Sequence, residues 1–251
     1  MGAQRLRRNQ RNLAKGGQSW TAHAAMPKPA WLMTSLYRLD VRASKIADAF
    51  GAQGRDDPWA GGYLAPGAFA PVITAGRDFI AGPRPANRAL RPRIVPRLWG
   101  VLPPPNTDNP SRRIATLRNI ESPFWIGNLR NSEFRCLVPA TSVMLWGSGT
   151  DYEGRRLKHW LGLEGARVFA MLGVWKDEEV PGFALLTQRA RGLAAKLGAA
   201  TQPFLLDPGA REAQSWLHSG WDRAQGVIEA ARARTLIELE DPTQLGSTPN
   251  T

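Results

Sequence analysis

Apolar and polar residues alternate in short bursts along this chain, and helical spacing recurs only briefly, so the pattern predicts a protein built mostly of strands. Residues 35–39 read as a first strand. Asp40 then suits the cap of a helix over about 41–50, with Ile46, Ala47 and Phe50 on one face and Gly51 as its stop. Pro66-Gly67 marks a turn before an apolar strand at 72–74, with Phe79-Ile80 as a hairpin partner. Between Pro83 and Pro110 the prolines are too dense for a helix, which leaves 98–102 as a strand between turns. The apolar run 134–146 holds β-branched Val138, Thr141 and Val143, as strands do, and 160–163, 168–175 and 183–187 follow as a meander. A helix over about 189–197 has Ala190, Leu193, Ala194 and Leu197 on one face. A last core strand spans 203–206, and Pro208 opens a helix ending near Leu217. These elements predict an α+β fold: one domain over 33–240, on a curled, barrel-like antiparallel sheet with flanking helices. Residues 1–32 are expected to be a disordered basic extension and 241–251 a disordered tail.

Composition narrows the class. In 251 residues, 43% hydrophobic and 22% charged side chains are ordinary for a globular domain. No apolar run is long enough to span a bilayer, so no membrane partner is expected. The single cysteine, Cys136, excludes an internal disulfide and a cysteine-rich zinc site; it reads as a small core residue in a reducing compartment. Neither metal nor cofactor is expected.

The net charge of +12 changes the picture, because an excess of that size reports nucleic acid or another anionic surface. Half of it lies before Thr34, in Arg5, Arg7, Arg8, Arg11, Lys15 and Lys28, with no acidic residue among them. A second concentration runs from Arg77 to Arg118 and includes Arg97, Arg113 and Arg118, against only Asp78 and Asp108. Arginine forks suit phosphate oxygens, and Trp99 in the same stretch offers a ring on which a base could stack.

A series of short segments carries a more specific signal. In order they are Met33-Thr34-Ser35-Leu36-Tyr37, Tyr63-Leu64-Ala65-Pro66-Gly67, Leu98-Trp99-Gly100-Val101-Leu102-Pro103, Thr116-Leu117-Arg118-Asn119, Arg135-Cys136-Leu137-Val138-Pro139-Ala140 and Gln202-Pro203-Phe204-Leu205-Leu206-Asp207-Pro208. In this order and spacing the chain resembles the SOS response-associated peptidase (SRAP) family over about 33–220. The resemblance implies binding of single-stranded DNA, including strands with an abasic site, in the DNA damage response. It also implies a monomer in the cytoplasm, associated with the nucleoid. Arg118 matches the family arginine on the DNA backbone, Trp99 the tryptophan flanking the strand, and Thr187 a threonine lining the groove. Thr116 stands in the place of an asparagine.

The slots for chemistry are filled differently. Family members expose an N-terminal cysteine whose amine forms a Schiff base with the abasic aldehyde and whose thiol then closes a stable ring. Here that slot holds Thr34, and a hydroxyl closes the ring far less well. The slot of the family glutamate holds Leu145, which transfers no proton, and that of the family histidine holds Gly198 or Ala199. His23, His159 and His218 lie elsewhere and read as surface residues, and Trp146 reads as core. The expectation is a DNA-binding protein with cross-linking and peptidase chemistry weakened or lost. Two alternatives stay open: an enzyme using Thr34 as its N-terminal residue, or a non-enzymatic basic scaffold for RNA or protein.

Overall fold

The computed structural model describes residues 36–76, 91–107, 109 and 111–240. Thr34, the expected hairpin at Phe79-Ile80, and the proposed extension and tail lie outside these. The elements in chain order are β1 (Leu36–Leu39), α1 (Ala43–Phe50), β2 (Gly62–Leu64), β3 (Phe69–Thr74), β4 (Arg93–Trp99), β5 (Thr116–Leu117), α2 (Pro123–Arg130), β6 (Arg135–Ala140) and β7 (Ser142–Thr150). There follow β8 (Arg156–Leu163), β9 (Phe169–Lys176), β10 (Gly182–Arg189), α3 (Gly192–Lys196), β11 (Thr201–Pro203), β12 (Leu205–Leu206), α4 (Arg211–His218), α5 (Trp221–Arg232) and β13 (Leu236–Leu239).

The strands form two sheets. An antiparallel sheet runs β13-β8-β7-β1-β2. In the other, β10, β4, β3, β6 and β9 pair in that order and β9 pairs back onto β10, so five strands close into a ring. The expected curled sheet is this ring. Its β10–β4 and β10–β5 pairings are parallel, which the meander pattern did not foretell.

Prolines misled the reading of β4, which begins at Arg93 and not at Leu98. Pro96 lies opposite Pro71 of β3. On their other sides β4 meets β10 only at Leu98 and Trp99, and β3 meets β6 only at Ile73 and Thr74. Each proline therefore sits where its strand has one neighbour, and its missing N–H breaks no ladder. Helix α1 ends as expected, with Gly51 in the left-handed region (φ 60°) and its N–H on the Ala47 carbonyl. The expected helix at 189–197 shrinks to Gly192–Lys196, because residues 187–189 are used in pairing β10 with β11. The chain then crosses at Phe204 from β10 to β9, so the expected strand at 203–206 is split between β11 and β12.

Between the sheets the core includes Tyr37, Trp99, Leu137, Phe169 and Phe183, all fully buried. Cys136 is buried as expected. So is the charged side chain of Arg135, at 0% exposure. Its guanidinium donates to the carbonyls of Trp216 (2.6 Å), Leu129 (3.0 Å) and Ser219, and lies 5.5 Å from the Trp216 ring.

Candidate nucleic-acid interface

The site the sequence points to lies at the start of β1. There Leu36 faces Met144 of β7, and the next residue of β7, Leu145, faces His159 of β8. Directly opposed residues of an antiparallel pair share a face. Tyr37, Val143, Leu145, His159 and Leu161 therefore point toward the ring, and Met144, Trp146, Lys158 and Trp160 point away from it.

On the inward face Leu145 is 2% exposed, so the glutamate slot is packed with hydrocarbon. Tyr37 beside it is no substitute acid: burial, with a smaller push from Cys136, raises its phenol well above the ordinary value. Its hydroxyl is buried without a hydrogen-bond partner. His159, read from the sequence as a surface residue, lies opposite Leu145 with its side chain 16% exposed and its Nδ1 2.7 Å from Glu238 Oε1. The alternation Leu157-His159-Leu161 was the signal that could have placed it on the apolar side of a strand.

Gly198, the histidine slot, adopts φ +81°, and a Cβ there would come within 2.7 Å of the Ser148 backbone nitrogen. Ser148 itself bonds through that N–H to the Leu197 carbonyl. Gly198→His is thus expected to strain the loop and lower stability by about 1–3 kcal/mol, with no rescue of chemistry. A melting curve of the variant checks this; an unchanged melting temperature would show that the loop can yield.

The outward face differs. Trp146, expected in the core, is half-exposed there, because its neighbour Leu145 takes the inward side of β7. Arg156 Cζ and Lys158 Nζ each lie 5.7 Å from its ring centroid, a cation–π arrangement, and Arg156 also donates to the Gly147 carbonyl at 2.7 Å. Sequence reasoning missed this cluster because Arg156 and Lys158 lie outside the arginine-rich stretch.

The expected binding residues fall into two groups. Pairing of β5 with β10 brings Thr116, Arg118 and Thr187 together: Thr187 Oγ1 donates to the Leu117 carbonyl at 3.1 Å. Thr116 and Thr187 are buried, and Arg118 just past β5 is exposed. The other group lies about 13 Å back along β10, where Phe183 faces Trp99. There the expectations are corrected. Trp99 is fully buried, with its ring 5.0 Å from Tyr37 and its Nε1 donating to the Ala115 carbonyl, so no base can stack on it. Arg97 is 9% exposed over the Trp175 ring (4.6 Å) and donates to the Pro96 carbonyl. Arg113 donates to the Gly100 carbonyl at 3.1 Å and pairs with Glu178 at 3.6 Å. Both arginines are engaged by the fold, which leaves Arg118 as the exposed cation of the named residues. Among the described residues no His, Cys, Asp or Glu cluster could hold a metal ion, and no helix is long and apolar enough to cross a membrane.

No protein-family model matches the chain, and no curated protein matches it either. Solved structures do. One is a protein from Bacteroides thetaiotaomicron, 14% identical, covering 86% of this chain and 96% of its own length at a TM-score of 0.61. Another is a phage-related protein from Bordetella bronchiseptica, 16% identical, covering 82% and 94% at 0.59. A third, from the same organism, is 14% identical and covers 82% and 100% at 0.58. At these identities the likeness shows the fold alone: a whole α+β domain of this architecture.

Proposed function

We propose that this protein is a SRAP-like binder of single-stranded DNA, including strands with an abasic site, acting in the DNA damage (SOS) response with its cross-linking and peptidase chemistry weakened or lost. The observation that carries the reading is the partly exposed Trp146 beside the cations of Arg156 and Lys158. An aromatic face next to positive charge is what an unpaired base and its phosphate require. Exposed Arg118 and the net charge of +12 support the same partner. The packing of Leu145 supports the loss of chemistry.

Fluorescence anisotropy with a single-stranded abasic oligonucleotide tests the proposal. Affinity should fall steeply and linearly on a log–log salt plot. Trp146→Ala should weaken binding about 10-fold or more, given roughly 1–3 kcal/mol per stacked base. Arg118→Glu should weaken it about equally for every base sequence. Binding indifferent to salt and to both variants would favour a scaffold for protein instead.

A further inference from the structure

We propose that the cavity between Arg38 and Arg167 is a binding site for a phosphate monoester group, carried either by free phosphate or by the end of a single strand. The strand as its source rests on the proposed function; the site itself does not.

The cavity has a volume of about 170 Å³ and lies at one corner of the five-stranded sheet. Arg38 comes from β1 and Asp40 from just past it. Thr141 and Ser142 come from the start of β7, Arg167 from the turn between β8 and β9, and Glu240 from just past β13. A single water needs only about 10–15 Å³ of such space, so a tetrahedral anion has room.

The first cation is oriented before any ligand arrives. Arg38 Nη2 donates to Asp40 Oδ2 at 2.9 Å, and Arg38 Cζ lies 5.2 Å from the Tyr63 ring centroid. Asp40 is fixed in turn, because Thr141 Oγ1 accepts from its N–H at 3.1 Å and donates to the Arg38 carbonyl at 2.9 Å. These contacts leave Arg38 Nε buried with no hydrogen-bond partner. A buried cationic donor without an acceptor destabilises a fold, and an oxyanion in the cavity supplies the acceptor.

The second cation is available. Arg167 is exposed, and among the described residues it forms no ion pair, even with Glu240 at the same cavity. Ser142 adds a hydroxyl directly opposite Arg38. Asp40 is engaged by Arg38, so Glu240 is the carboxylate left to oppose an anion. A cationic ligand would have to draw Asp40 away from Arg38 and would leave Nε unmet. Two guanidinium groups match the roughly double negative charge of a phosphate monoester better than the single charge of an internal diester.

The cavity also lies on the outward face that carries Trp146. Ser142 precedes Trp146 by four residues on β7, which places it on the same side about 13 Å away. A strand with a base stacked on Trp146 can therefore deliver its terminal phosphate to Arg38 a few nucleotides along.

Titration calorimetry of the full chain with inorganic phosphate tests the site, and anisotropy with oligonucleotides bearing a 5′-phosphate, a 3′-phosphate or neither tests the source. Inorganic phosphate should bind saturably at one site. Arg38→Gln and Arg167→Gln should each weaken it about 10-fold or more, as loss of a charged hydrogen bond does. Glu240→Gln should strengthen it about 2- to 5-fold, since a like charge is removed. Arg167 is exposed, so its variant should fold as the wild type does and keeps the test valid if Arg38→Gln does not. One of the terminal phosphates should raise oligonucleotide affinity about 10-fold, and Arg167→Gln should abolish that gain. Absence of saturable phosphate binding, wild-type affinity in Arg167→Gln, or weaker binding in Glu240→Gln would overturn the site. Phosphate binding with no gain from either terminal phosphate would uphold the site with free phosphate as its ligand. Failure to bind any oligonucleotide would overturn the proposed function and leave the phosphate site standing.

Discussion

Incubated with single-stranded abasic DNA and then boiled in denaturant without a reductant, the protein should run at its own mass with no shifted band. On the proposed SRAP-like reading, stable attachment needs three things: a free amine, a thiol to close the ring, and positioned acid/base groups. Thr34 offers a hydroxyl in place of the thiol. Leu145 fills the glutamate slot with a buried hydrocarbon, and Gly198 leaves the histidine slot without a side chain. Each missing acid/base group removes about 100- to 10,000-fold in rate. A heat-stable band, lost in Thr34→Ala, would show that the hydroxyl closes the ring after all. In a chain starting at Met33, Thr34→Cys with Leu145→Glu should recover some attachment, since the new carboxylate would face His159 across β7 and β8.

The largest stability effect is expected at Arg135. Its three carbonyl partners come from the last turns or caps of α2 and α4: Leu129, Trp216 and Ser219. A planar fork meets these diverging acceptors, and its charge sits at the negative ends of two helices. Arg135→Leu should cost about 3–5 kcal/mol, because it leaves buried carbonyls without donors. Arg135→Lys should recover little, since an ammonium cannot span both helix ends. Denaturant unfolding followed by fluorescence measures both, and a loss below about 1 kcal/mol for the leucine variant would show that water replaces the fork. Burial lowers the Arg135 pKa to about 10, so the group stays charged at neutral pH. Because this folded value lies below that of the unfolded chain, the unfolded state binds the proton more tightly. The group's effect on stability is therefore flat below about pH 9, and stability rises with pH only above about pH 10.

Much of the fold was legible where a strand's alternation met a buried partner. The segments around Leu36, Leu137, Leu161, Met171 and Leu185 read as strands and are strands. What escaped the reading follows from context. Helix α2 buries only Trp125 and Leu129, too few positions to show a period. In α5, Ala224, Val227, Ile228 and Ala231 do lie at helical spacing, and that signal was available. Strand β13 is an edge with exposed residues in its middle, so its pattern does not alternate. The site was legible as a set of slots and illegible as a surface. Motif order locates Trp99 and Trp146 equally well, yet only packing shows that the first is sealed by Tyr37 and Phe183 while the second reaches solvent.

The closed ring has a consequence for how the chain reaches this state. Its antiparallel neighbours β3 and β4, and β9 and β10, lie close in sequence and can pair while the rest is still unfolded. Closure waits for β10 to find β4 across the stretch of chain from Leu98 to Gly182, and a parallel pairing of that kind offers no local turn to guide it. Loop-closure entropy must be met before those contacts form. The ring that shields its strands in the finished protein thus makes folding a slow, late-locking event, on the timescale of β-rich domains and not of helical bundles.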